Sequence, residues 1–199
     1  MNASDRLITD SDGIRISRLV ASVVPPGSSV LDIGCGNRML YDAICEKADG
    51  GYYMGLDIDH ETLRKLHGSL EVRPGCCRCD FSDISLSELP AQSFDNCICS
   101  RLFHHLDRSS ALHYLAEMTR ITKTGGRLIV VDYVRDYSNR KDHFLYLPDF
   151  FMANIPGDLR INKPGNAEIV NDLHMREGDI WMLVSRKDES FWDFTLNRI

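Results

Sequence analysis

The chain has 199 residues, 43% hydrophobic and 26% charged, which gives one globular domain enough apolar material for a core and excludes a disordered polymer. Its net charge of −6 runs against the basic excess of a nucleic-acid binder, and no apolar run reaches the ~20 residues of a membrane helix. Seven cysteines, an odd number, and a polar Met1–Asp12 without a basic-then-apolar leader point to a cytoplasmic chain with no disulfide framework.

A first helix is expected from about Asp12 to Val24, with Ile14, Ile16, Leu19, Val20 and Val23 as its apolar face and Pro25-Pro26-Gly27 as its stop. Strand one follows at Ser29–Ile33. The next helix is expected over about Asn37–Ala48, ended by Asp49-Gly50-Gly51. Strand two is read at Tyr52–Ile58, a helix at His60–Leu70, strand three at Cys76–Phe81 and strand four at Phe94–Ser100. A helix from about Ser109 to Thr122 has Ala111, Leu115, Met118 and Ile121 three or four apart, a single buried stripe. The turn Lys123-Thr124-Gly125-Gly126 ends it, and strand five is Arg127–Tyr133.

Beyond Tyr133 the pattern loosens. Phe144–Ile155 is apolar and aromatic, a helix or lid, and residues 156–177 read as irregular. Asp179–Arg186 and Phe191–Asn197 read as two strands forming an edge hairpin. Strands alternating with helices give the α/β class, a Rossmann-like, doubly wound, mostly parallel sheet. A single domain is expected: 1–28 an N-terminal helix, 29–133 the core, 134–199 the substrate-side segment and edge strands.

In such sheets ligands bind outside the carboxyl ends of the strands. Strand one ends at Asp32 and runs into Gly34-Cys35-Gly36, a turn that lets the backbone approach a ligand and aims helix-start N–H groups at it. The dinucleotide pattern G-x-G-x-x-G/A fails at Met39, and no second glycine-rich turn exists. Asp57, about 20 residues on, is spaced to accept both hydroxyls of a ribose. Asp80, Ser100 and Asp132 stand at the other strand ends. Cys76, Cys77 and Cys79 lack the paired spacing of a zinc module; with Cys97 and Cys99 they read as small buried strand residues, and no metal centre is expected.

Leu31-Asp32-Ile33-Gly34-Cys35-Gly36 resembles motif I of the class I S-adenosylmethionine-dependent methyltransferases. Gly55-Leu56-Asp57-Ile58-Asp59 and Cys79-Asp80-Phe81 resemble the next two motifs. Phe94–Ser100 with Phe103-His104-His105-Leu106 resembles the motif on and after strand four, and Thr122–Leu128 the family's Leu-Lys-Pro-Gly-Gly turn, with Thr124 at the proline position. The resemblance covers about Val30–Tyr133. It implies an S-adenosylmethionine site with Asp32, Gly34, Cys35 and Gly36 at the turn, and Asp57 and Ile58 at the ribose. Asp80 would lie near the adenine amine, Phe81 would pack on the ring, and Ser100 would close the set. Arg38 stands where the family has a third glycine; it either turns outward or pairs its guanidinium with the cofactor carboxylate.

The sulfonium is already a good leaving group, so the protein's task is alignment and water exclusion, with a base only where the acceptor must lose a proton. His104 and His105 are the candidate catalytic residues; otherwise His104 packs and His105 shapes the acceptor pocket. Asp132 and Tyr133 are further acceptor-side candidates. No Asn/Asp-Pro-Pro-Tyr/Phe clamp and no Pro-Cys nucleophile is present, and the His-His pair looks like the branch acting mostly on small molecules. The expected activity is methyl transfer to a small-molecule acceptor, releasing S-adenosylhomocysteine, with the oligomeric state open. A protein or RNA methyltransferase, a non-catalytic nucleoside binder and a nicotinamide oxidoreductase are the alternatives.

Overall fold

The run Val30-Leu31-Asp32-Ile33 is buried throughout, without the alternation of a half-exposed strand, which is the signature of a parallel strand covered on both faces. The structure, a computed structural model, describes residues 10–37, 39–45, 51–68, 78–133, 146, 148–155, 158–160, 180–188 and 191–198. These fall in two compact units, Met1–Ile84 and Ser85–Ile199.

In the first unit the order is α1 (Asp10–Val23), β1 (Ser29–Ile33), α2 (Met39–Cys45), β2 (Tyr52–Leu56), α3 (His60–Gly68) and β3 (Arg78–Ser82). The strands pair in parallel, with Ile33 opposite Leu56 and Leu56 opposite Ser82. Ile16, Val20 and Ala21 form the buried face of α1, whereas Ile14, counted in that face from its spacing, is exposed. Between α2 and the sheet, Tyr41, Tyr53 and Phe81 meet edge to face, with ring centroids 5.3 to 6.1 Å apart. Gly55 makes this packing possible: a Cβ there would stand 2.6 Å from the Phe81 ring and 2.9 Å from Cys35 Sγ.

The second unit contains β4 (Phe94–Ser100), α4 (Arg108–Ile121), β5 (Thr122–Tyr133), α5 (Pro148–Asn154), β6 (Asp158–Arg160), β7 (Ile180–Lys187) and β8 (Phe191–Arg198). Two short 3-10 turns lie at Leu86–Glu88 and Phe103–His105. Its strand order is β4-β5-β7-β8-β6. β4 and β5 are parallel, and β7 and β8 add an antiparallel hairpin. This is the expected Rossmann-like, mostly parallel α/β class with an antiparallel C-terminal pair. The described strands number eight rather than seven, because three-residue β6 pairs alongside β8 within the stretch read as irregular.

Three further departures have local causes. Lys123-Thr124-Gly125-Gly126 is not a connecting turn but an irregular part of β5, where the register jumps from Phe94/Thr122 to Asn96/Arg127. Gly125 takes φ +80° there, and a side chain at Gly126 would strike Asp95 O. The α4 start is set by Asp107, whose carboxylate accepts from Ser110 N at 2.7 Å, so the helix begins at Arg108. β3 is described over Arg78–Ser82 and so ends one residue beyond the expected Phe81; Cys76 and Cys77 lie outside the described residues.

Arg120 and Lys187 finish the frame of this unit. The Arg120 guanidinium binds Glu117, Leu86 O and Leu89 O. Lys187 Nζ donates to Thr119 O and Thr122 O, each at 2.9 Å, which satisfies carbonyls at the helix end. Burial holds the Lys187 amine below the usual lysine range. On α5, Phe151 is fully buried against Phe103 and Trp181, and Tyr146 Oη donates to Leu106 O. Of this aromatic segment, read as a helix or lid, Phe151 and Tyr146 are buried in the core; Phe150 is half-buried, with the Arg108 guanidinium 5.5 Å from its ring centre.

Candidate active site

The glycine turn after β1 is built from backbone. Gly34 and Gly36 have φ of +74° and +51°, a left-handed pair that side-chain-bearing residues resist. The Gly34 and Cys35 N–H groups both donate to Leu56 O, at 2.8 and 3.0 Å, which ties the turn to the end of β2. The Gly36 N–H donates to Asp57 Oδ2 at 2.9 Å, and the Asp59 N–H donates to Asp57 Oδ1 at 3.0 Å.

Those bonds decide what Asp57 can hold. An ionised carboxylate has about four acceptor positions. The two amide contacts use one position on each oxygen, so each oxygen retains one for a further donor. A vicinal diol, the group that a ribose presents, fits that arrangement. Over Gly36 the nearest atom to an added Cβ is Gly34 O at 3.9 Å, so the turn has room above it. Beside Asp57, Ile58 is 86% exposed, an apolar side chain offered to solvent. The residues present therefore fit an adenosyl group.

The other predicted positions are placed as follows. Asp32 is 2% exposed and accepts from Tyr53 Oη at 2.5 Å, so it braces the turn from beneath. Cys35 is buried. Phe81 is 3% exposed, in edge contact with Tyr41, Tyr53 and His67. Asp80 is exposed but stands mid-strand in β3, opposite Met54; the residues at the end of β3, opposite Leu56 and just beyond, are Ser82 and Asp83. Strand three was read to end at Phe81, one residue before its actual end at Ser82, which placed Asp80 nearer the mouth. Arg38 lies outside the described residues.

Sequence reasoning missed Tyr53 and Asp59. Asp59 also accepts from Glu61 N and Thr62 Oγ1, and these bonds, Thr62 first, hold its carboxyl below the usual range. Asp59-x-x-Thr62 at a helix start was a readable signal for it. For Tyr53 there was none, since its partner is 21 residues away.

In the second unit β4 ends at half-buried Ser100, and the Phe103–His105 turn follows. His104 is 9% exposed, and its Nδ1 lies 2.7 Å from Asp132 Oδ1. The Asp132 carboxylate, 2% exposed, also accepts from the backbone N–H groups of His104 and Tyr133. Buried against three donors, the carboxylate orients the ring and favours the tautomer with its proton on Nδ1, which leaves the lone pair on Nε2. His105 is exposed, its ring centre 4.0 Å from that of His104. Tyr133 meets His104 edge to face.

Cys97 and Cys99 are fully buried in β4, and burial pushes the Cys97 thiol up to about 12, the behaviour of a packing residue.

Residues 30–126 match a family model described as a methyltransferase domain. Among curated relatives, a ribosomal protein L11 methyltransferase from Methylobacillus flagellatus is 30% identical over 61% of this chain and 38% of its own length. A ubiquinone biosynthesis O-methyltransferase from Dechloromonas aromatica is 27% identical over 65% of this chain and 54% of its own. The chain thus spans about half or less of these relatives. Among solved structures, magnesium protoporphyrin IX methyltransferase from Synechocystis PCC 6803, with bound S-adenosylmethionine, superposes with a TM-score of 0.54 at 19% identity, over 75% of this chain and 66% of that one. The [4+2]-cyclase SpnF superposes at 0.58 and 19%, over 73% and 56%.

Proposed function

We propose that the chain, whose residues 30–126 match a methyltransferase domain, is a class I methyltransferase that transfers a methyl group from S-adenosylmethionine to a small-molecule acceptor. The observation that carries this reading is the Gly36–Asp57 bond. It fixes an open glycine turn to a carboxylate with acceptor capacity to spare, which suits an adenosyl ribose. The bound cofactor supplies an activated methyl on a sulfonium. The rest falls to this chain's residues: Asp57 grips the sugar, the Gly34–Gly36 turn shapes the loop, and Ile58 covers apolar surface.

On the acceptor side, His104 takes the proton that the acceptor loses, through Nε2, while Asp132 holds the ring in position. Resemblance to the ubiquinone O-methyltransferases favours a hydroxyl acceptor, whose proton needs such a base. His105 completes the acceptor-side set, and Ser100 stays with the cofactor-side residues. The resemblance to the ribosomal protein L11 methyltransferase supports a second reading, in which the acceptor is a protein.

Calorimetry tests the cofactor half. S-adenosylhomocysteine is expected to bind saturably and NAD not at all. Asp57→Ala is expected to weaken the former at least a hundredfold, the loss of two charge-assisted hydrogen bonds. Saturable binding of NAD alone would reverse the assignment. Turnover on phenolic and catecholic panels, against none on protein substrates, separates the two acceptor readings.

A further inference from the structure

Arg101, the residue immediately after β4, has an unusual backbone and an uncommitted side chain. Its φ is +59°, a left-handed conformation that a residue with a Cβ seldom adopts. Gln92, also at positive φ, sits in an exposed turn where such geometry is common. Arg101 instead closes a strand, and its N–H donates to Val131 O at 2.7 Å, so the neighbouring β5 holds it there. Strain of this kind persists where the surrounding structure fixes it and is a pointer to a site.

The side chain supplies the second observation. Arg101 Nε is buried and has no hydrogen-bond partner. No ion pair or ring contact engages the guanidinium among the described residues. Arg120, by contrast, commits its guanidinium to Glu117 and two carbonyls. A buried unpaired N–H on a cation is costly, and a ligand that accepts from it removes that cost. The residue as a whole is half-buried, so part of it meets solvent while Nε does not. Nε with an adjacent outer nitrogen forms a two-donor edge that matches the two oxygens of a carboxylate. One fixed cation neutralises a carboxylate fully and a phosphate dianion only in part.

We infer that Arg101 is a recognition residue for a carboxylate, and that the acceptor is a small carboxylic acid. Arg101 N–H is tied to Val131 and the His104 ring to Asp132, consecutive residues of β5, so the anion site and the proposed base share one strand end. The anion site stands on the geometry alone; its use by the acceptor rests on the methyltransferase reading.

Nitrogen-15 NMR of the arginine Nε–Hε groups tests this, with sodium acetate as probe and sodium chloride at matched ionic strength as control. Acetate is expected to move the Arg101 signal saturably, with half-saturation in the millimolar range, while Arg120 stays still. Acetamide is expected to move neither. Arg101→Lys should raise the acetate concentration needed to protect the fold in a thermal melt by about tenfold. An Arg101 signal that moves no more than Arg120, or equally with acetamide, overturns the site. Saturation by inorganic phosphate without saturation by acetate overturns the carboxylate assignment. S-adenosylhomocysteine titration of the unaltered chain is read separately: its failure with the acetate response intact removes the methyltransferase reading and leaves the anion site.

Discussion

The glycine turn of the first unit and the histidine turn of the second are made from different materials. At Gly34–Gly36 the working groups are backbone N–H donors, fixed by positive φ and by bonds to Leu56 O and Asp57. At Phe103–His105 they are side chains, and their orientation comes from a carboxylate 28 residues further along the chain. A backbone device is insensitive to most side-chain changes and depends on a few glycines. A side-chain device can be removed by a single substitution that leaves the fold in place.

The sharpest way to break this contrast is His104→Gln. Turnover should fall by about 10²–10⁴-fold, the usual contribution of a positioned base, while the affinity for S-adenosylhomocysteine, measured by calorimetry, should change less than twofold. An equal loss of both would mean that the two turns are not separable devices.

A smaller effect is expected from Tyr53→Phe, which leaves the buried Asp32 carboxylate without that donor. The cost is about 1–3 kcal/mol of stability, read from the urea midpoint. No shift would mean that the bond is not a brace of the glycine turn, which would then rest on the Asp57 bond and its backbone contacts.

The smallest effect concerns the helix that follows the histidine turn. Bonds from the Ser110 backbone hold the Asp107 carboxyl below its usual range. A depressed folded pKa gives stability that is present above the unfolded value and is lost as pH falls through the folded one. Asp107→Ala should therefore lower the melting temperature at neutral pH, with the difference narrowing below the ordinary carboxylate range. A difference constant from pH 7 to 2 would exclude the charged cap.

What the sequence made legible follows the same division. Ser29–Ile33 and Phe94–Ser100 were read to the residue: each is a short strand-forming run, the first bounded by Pro25-Pro26-Gly27 and Gly34-Cys35-Gly36. The Gly34–Gly36 turn and Asp57 were legible because their chemistry lies in residue type and spacing. The end of β3 was read one residue short, at Phe81 instead of Ser82, because the polar serine looked like the start of the connection that follows. Lys123–Gly126 carried the composition of a turn, yet its glycines serve an irregular strand that must pass Asp95 O. Tyr53 with Asp32, and His104 with Asp132, could not be paired from spacing alone: 21 and 28 residues separate the partners, and only the strand register brings them together. Arg101 gave no signal, because neither a positive φ nor an unpaired nitrogen has a letter in the sequence.

One feature of the second unit reaches further. α4 passes straight into β5, with Ile121 the last helical residue and Thr122 the first of the strand, and the helix opens three residues after His105. From His104 to Asp132 the chain has almost no slack, and the imidazole–carboxylate contact closes it into a ring. Such a ring opens at its clasp or not at all: the amides of the histidine turn and those at the far end of β5 should exchange with solvent as one event.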